Sequence, residues 1–234
     1  MFPPRTLIAC VLGMLLGALP ALAQPTGSLV GRVRVAGKPP QQARILVTKY
    51  REVCGASVVD DRLAIGPSSG VRWAVVTVDV PKSDKKLEGD PGVLLDNHGC
   101  RFAPHVLTAQ VGQWLEIHNS DPILHNAHAR IGNETLFNVN LPPDELVRRP
   151  LTRSGTISFI CDMRHTWMTA YVVVAEHPFQ GVTDAYGEYE IDELPPGTYN
   201  VRLWHEQLGA REHPVTIEPG GVATLDFTYP TPGR

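Results

Sequence analysis

The sequence predicts an all-β protein of sandwich type, and three observations carry that expectation. Apolar and polar residues alternate over many short stretches. Turn signals such as "PSSG", "GDPG", "AYGE" and "PPGT" separate those stretches. No stretch shows the period of an amphipathic helix of any length; "PPDELVRR" from Pro142 suggests one turn at most. In chain order the expected strands are "LVGRVRV", "RILVTKY", "WAVVTVDV", "VLTAQVGQWLEIHNS", "GTISFICD", "AYVVVAE", "GEYEI", "TYNVRLW", "HPVTIEP" and "ATLDFTY". Short strands at such spacing bury one face each, and two sheets packed face to face satisfy them.

The N-terminus sets the compartment. "MFPPRTLIACVLGMLLGALPALAQ" carries one early charge, Arg5, then an apolar run from Leu7 to Leu19 and a small-residue site ending at Ala23. That is the layout of a secretory signal peptide, residues 1–23, cleaved after Ala23. A lipoprotein box ending at Cys10 is a weaker alternative, because the apolar run follows that Cys instead of preceding it. No other segment approaches a membrane-spanning length. The mature chain is then periplasmic or secreted, about 210 residues long, and divides into one or two domains. A net charge of −3 without a basic run makes nucleic acid an unlikely partner.

Two blocks separate along the chain. Residues 71–176 hold most of the histidines and all the motif chemistry. Residues 177–230 form a second, smaller β sandwich, with "HPF" at His177–Phe179 as the joint, because Pro178 cannot continue a central strand. Residues 24–70 form an N-terminal β segment able to belong to that second sandwich. "DVPKSDKKLEGDPG" reads as an exposed loop.

The chemistry concentrates in "CDMRHTWM", Cys161–Met168. Alternation places Ile157, Phe159 and Cys161 on one face of a strand, and two large apolar residues mark it as the core face. His165 and Met168 follow in a tight loop. Upstream, "NSDPILHNAHA" offers His125 and His128; with Pro122 as a strand boundary, His125 is the better inward candidate and His128 the alternative. Two imidazoles, a thiolate and a thioether suit one copper ion: a trigonal plane with a weak axial Met. Zinc accepts Cys and His, but the Met argues against it. The metal ligands expected are therefore His125, Cys161, His165 and Met168. A shared ion requires the His125 imidazole to lie within about 6 Å of the Cys161 sulfur.

On these residues the stretch 71–176 resembles the cupredoxins, the plastocyanin and amicyanin family of small copper proteins. "FAPHVLTAQVGQWLEIHNSDPILHN" is similar to the family's early strands and "CDMRHTWM" to its ligand loop. The resemblance implies a Greek-key sandwich, the four ligands above and Asn126 as a residue bonding across to the ligand loop. It also implies one-electron transfer to a redox protein partner, with His165 as the electron port. One departure is that three residues, not two, separate Cys161 from His165. That spacing matches part of a binuclear copper loop, but no second Cys is present in it, so the site should be mononuclear. Met163 competes with Met168 for the axial place. "GVTDAYGEYEIDELPPGTYNVRLWHE" resembles a second family, the carboxypeptidase regulatory-like domain, a transthyretin-like β sandwich of structural role. "GSLVGRVRVAGKPP" weakly resembles its first strand, which would insert the copper module within that sandwich.

Other residues receive plainer readings. Without the signal three cysteines remain, and Cys54 with Cys100 most simply form a disulfide; a second metal site with His98 and His105 is the sharper alternative. Trp167 is either a core plug over the site or an exposed rim for docking. His177, His205 and His213 read as strand-end residues, and Asp184 and Glu188 as turn residues with a weak calcium possibility. No paired carboxylates or Ser-His-Asp set are placed for catalysis, so no catalytic residue is assigned and the chain is not expected to be an enzyme. Copper storage or delivery, or a metal-braced interaction module, are the alternatives to electron transfer.

Overall fold

A computed structural model describes residues 24–81 and 92–231. The expected signal peptide and most of the charged loop after Pro81 lie outside the described residues. Within them the chain is all-β, apart from a four-residue helix, Arg51–Cys54, and two short 3-10 turns. No helix among the described residues is long and apolar enough to cross a membrane.

The first sandwich packs a five-stranded sheet on a four-stranded one. The first sheet runs in the order Glu134–Leu141, His125–Ile131, Gly155–Ile160, Thr169–Ala175, Val106–Gln110. The second runs Leu146–Pro150, Trp114–Asn119, Val93–Asn97, Phe102–Ala103. Alternation does the sorting that the sequence predicts. Ile157 and Phe159 from one sheet and Leu115 and Ile117 from the other are buried, and the residues between them face outward. Each such buried side chain contributes about 1.5–3 kcal/mol, enough in sum to fix which face of each strand points inward.

The second sandwich takes strands from both ends of the chain. One sheet joins Glu188–Leu194, Gly27–Val35 and Val222–Thr224, with Phe227–Tyr229 also pairing Gly27–Val35. The other joins Gln180–Val182, Val75–Val78, Gly197–His205 and Gly209–Ile217. Val75–Val78 falls inside the 71–176 stretch, yet its ladder partners are Gln180–Val182 and Gly197–His205. The chain thus enters the second sandwich, leaves to build the first, and returns.

Two expected strands differ in detail. "ATLDFTY" is split at Leu225–Asp226. The Asp226 carboxylate accepts the backbone N–H of Arg32, and the Leu225 carbonyl accepts the Tyr189 hydroxyl. Gly31 permits the crowding, because a Cβ there would meet the Leu225 oxygen at 2.0 Å. "RILVTKY" is strand only over Arg44–Leu46. The chain then turns at Tyr50, which holds φ 54°, into the helix Arg51–Cys54. That turn brings Cys54 to Cys100, and the two form a disulfide. Arg44–Leu46 pairs only with Ser57–Val59, and this strap lies on the first sandwich, with Val47, Cys54 and Val58 in its core.

Candidate metal centre

Three ligand-type side chains converge at one end of the first sandwich. His125 opens the strand His125–Ile131, Cys161 follows the end of Gly155–Ile160, and His165 lies in the loop before Thr169–Ala175. His125 and His165 are fully buried and Cys161 nearly so. The Cys161 Sγ lies 4.0 Å from Nδ1 of His125 and 3.6 Å from Nδ1 of His165, and the two Nδ1 atoms are 3.1 Å apart. Bonds of about 2.0 Å to nitrogen and about 2.3 Å to sulfur around one ion set separations of about 3–4 Å, so the donor set fits a single metal. Met168 is buried in the same core, and its N–H donates to the His165 carbonyl.

Neighbouring groups fix the imidazole of His125. An ionised carboxylate only accepts, so the 2.9 Å contact between Asp121 Oδ2 and His125 Nε2 places a proton on Nε2. The ring's other nitrogen, Nδ1, faces Cys161 and His165. Burial pushes the Asp121 carboxyl up. Hydrogen bonds from His125 and from the N–H groups of Cys100 and Gly99 outweigh that and hold it below the usual carboxylate range.

Burial keeps two of the candidate donors neutral. Burial, with smaller contributions from His125 and Lys49, lowers the His165 pKa to about 4. Burial also raises the Cys161 thiol above its ordinary value, against hydrogen bonds from the N–H groups of Met163 and Asn126. At neutral pH the free chain therefore holds His165 neutral and Cys161 as a protonated thiol.

Asn126 bonds across to the ligand loop, its Oδ1 accepting the Asp162 N–H at 3.3 Å. Its amide donates to Asn138 and Asn140. His128 points away from the cluster and bonds to Asp162 and Thr135. Trp167 is a core plug: it is buried, and its indole N–H donates to the Cys100 carbonyl. The docking-rim reading does not hold. Nor is His165 an open port. Its ring is covered by Tyr50, whose ring centroid lies 5.6 Å away at 73°, and its Nε2 is buried without a hydrogen-bond partner.

The second metal site weighed from the sequence does not form. Cys100 is consumed by the disulfide, His98 is exposed, and His105 bonds to Glu206 and to the Thr169 carbonyl. Asp184 accepts the N–H groups of Tyr186 and Glu188, and Glu188 pairs with Arg32, as turn and surface residues do. Of the strand-end histidines, His205 is deeply buried. Two groups at the site lie beyond the sequence reading. Asp121 stands four residues before His125, a spacing that could have suggested it. Nothing local announces Tyr50, which reaches the site through the strap's apolar contacts and the long-range Cys54–Cys100 link.

Fold and site together define an all-β, two-sandwich protein with a buried His-Cys-His cluster fitted to one metal ion. A family model for the carboxypeptidase regulatory-like domain matches residues 168–230. It begins in the last strand of the first sandwich and runs through most of the second. Among solved structures, the chain is similar to a copper-containing nitrite reductase from Thermus scotoductus SA-01 at 28% identity and a TM-score of 0.34, over 42% of this chain. It spans only 25% of that reductase. It is similar to a reduced amicyanin variant at 20% identity and a TM-score of 0.34, covering 42% of this chain and 99% of amicyanin. A purple cupredoxin from Nitrosopumilus maritimus gives 21% identity and a TM-score of 0.32, over 35% of this chain and 98% of the cupredoxin. No curated protein matches.

Proposed function

We propose that the protein binds one copper ion through His125, Cys161, His165 and Met168, outside the cytoplasm, in a cupredoxin-like unit inserted within a carboxypeptidase regulatory-like sandwich. The observation that carries this reading is the convergence of Cys161 Sγ and two Nδ1 atoms within 4.0 Å of one another in the buried interior. A soft thiolate with a thioether nearby favours copper over zinc. Bound copper would supply one-electron chemistry. The chain's own part is to hold the donors rigid: Asp121 orients His125, Asn126 pins the ligand loop, and Trp167 fills the space beside His165.

Two roles follow, one-electron transfer to a protein partner and copper holding or delivery. The covered edge of His165 favours the second, because a partner has no bare imidazole to approach. The test is a copper titration of the purified protein followed by visible and electron-spin spectra. One equivalent bound, with an intense thiolate-to-copper band that Cys161→Ser abolishes, is expected. An unchanged spectrum in that variant would refute the thiolate assignment.

A further inference from the structure

His165 is fully buried although its loop lies at the end of the sandwich. The side chain over it, Tyr50, is itself only half-buried. Tyr50 therefore forms the outermost layer above the His165 ring, with Lys49 beside it over the phenol face. Tyr50 sits in the strap whose short strands, Arg44–Leu46 and Ser57–Val59, pair with each other and with neither main sheet. The strap is attached through apolar contacts and the Cys54–Cys100 disulfide, not through a backbone ladder. Lifting Tyr50 therefore breaks side-chain packing but no sheet hydrogen bonds, while Val47, Cys54 and Val58 stay anchored in the core.

Two further features mark the closed arrangement as provisional. Nε2 of His165 is buried with no hydrogen-bond partner, whichever ring nitrogen carries the proton. An unpaired buried polar atom is penalised, and lifting the cover would let it meet a partner. Tyr50 also holds φ 54°, a region that aromatic residues rarely adopt. Backbone outliers of this kind persist where the surroundings impose them, often at functional sites.

We propose that Tyr50, carried on the 44–59 strap, is a lid over the metal centre: ions and acceptors reach His165 only when it lifts, while the disulfide keeps the strap attached. The hydrogen-bond partner offered to Nε2 in the open state is water or a group on the incoming carrier. This inference rests on the metal reading for its purpose, but the lid itself is a property of the metal-free chain.

The experiment uses the full-length protein with its disulfide intact. Metal-free wild type, Tyr50→Phe and Tyr50→Ala are treated with diethylpyrocarbonate, and carbethoxylation of each histidine is followed by mass spectrometry. In wild type and Tyr50→Phe, His165 should label at least tenfold more slowly than the exposed His213. In Tyr50→Ala, His165 should approach the His213 rate while His125, held by Asp121, stays protected. The copper-loaded forms are then mixed with a Cu(I) chelator, and Tyr50→Ala should release the ion at least tenfold faster than wild type. Wild-type His165 labelling as fast as His213 overturns the lid even if Tyr50→Ala does not fold. Equal labelling of His165 in wild type and a folded Tyr50→Ala also overturns it, and leaves the copper reading standing. If Tyr50→Ala unmasks His165 but no variant binds copper, the lid stands and the copper reading falls.

Discussion

The Asp121 carboxylate holds His125 and the disulfide loop with the same two oxygens. Its Oδ2 lies 2.9 Å from His125 Nε2 and accepts the Cys100 N–H at 2.7 Å, while Oδ1 accepts the Gly99 N–H at 2.8 Å. The Cys100 carbonyl in turn accepts the indole N–H of Trp167, whose ring lies against His165. One residue, Cys100, therefore connects through its two backbone groups to the neighbours of both imidazoles. The position of the Cys54–Cys100 bond and the orientation of the metal donors are one mechanical problem.

Removing the charge of Asp121 should loosen both. Asp121→Asn keeps the shape but presents an amide that cannot accept from all three donors. Metal affinity should fall about 10–100-fold, the usual cost of losing a group that orients a ligating histidine. The folded state should lose about 1–3 kcal/mol for the donors left unpaired. Chelator competition and thermal melts of the metal-free and loaded protein measure the two effects separately.

Metal affinity should rise with pH, and the slope identifies its source. Burial holds the Cys161 thiol above its ordinary value, so at neutral pH it must lose a proton to ligate. His165, with a pKa of about 4, already presents a lone pair and adds nothing to the slope above that range. The thiol should thus release about one proton per ion bound, which by itself raises affinity about tenfold per pH unit. Calorimetry in buffers of different ionisation enthalpy counts the protons, and Cys161→Ser should lower the count by about one.

How much of this was legible depends on distance along the chain. The strand faces followed from alternation: Ile157, Phe159 and Cys161 share an inward face because the period of two allows nothing else. The inward choice of His125 over His128 and the Cys54–Cys100 disulfide rested on similarly plain rules. The strap did not. "RILVTKY" looks like one strand, and only the tertiary pull of Cys100 and the apolar contacts of Val47 and Val58 break it after Leu46. The port assigned to His165 failed for the same reason, since the covering ring comes from 115 residues upstream. The split of "ATLDFTY" depended on a Gly31 contact that no local pattern encodes.

Stability should fall on mild acidification because of His205. Burial holds its pKa near 4, against 6.5 for an ordinary histidine, although Glu206 pulls it partly back. Between those two values the unfolded chain binds the proton and the folded chain does not, so stability rises with pH in that window. The loss begins as pH drops through about 6.5 and is complete near 4. Its size is on the order of 3 kcal/mol for this group. His165 is lowered to the same value, so His205→Gln should reduce the slope of denaturant-unfolding free energy against pH over that window by about half. An equally steep curve in the variant would remove His205 as the cause.

The contact between the sandwiches offers a last prediction. His105 precedes the strand Val106–Gln110 of the first sandwich, and Glu206 follows Gly197–His205 of the second. The two side chains are almost wholly buried and bonded to each other, while the other nitrogen of His105 lies 2.9 Å from the Thr169 carbonyl. Thr169 is the residue after Met168, so the link touches the frame of the metal site. Breaking a buried polar pair from one side strands the other partner, which costs about 3–5 kcal/mol. Glu206→Leu and His105→Leu should each destabilise by that order. The double variant should cost less than the sum of the two, because it leaves neither group stranded. Urea unfolding of the four proteins gives the coupling energy. A strictly additive result would mean that the two side chains do not stabilise each other.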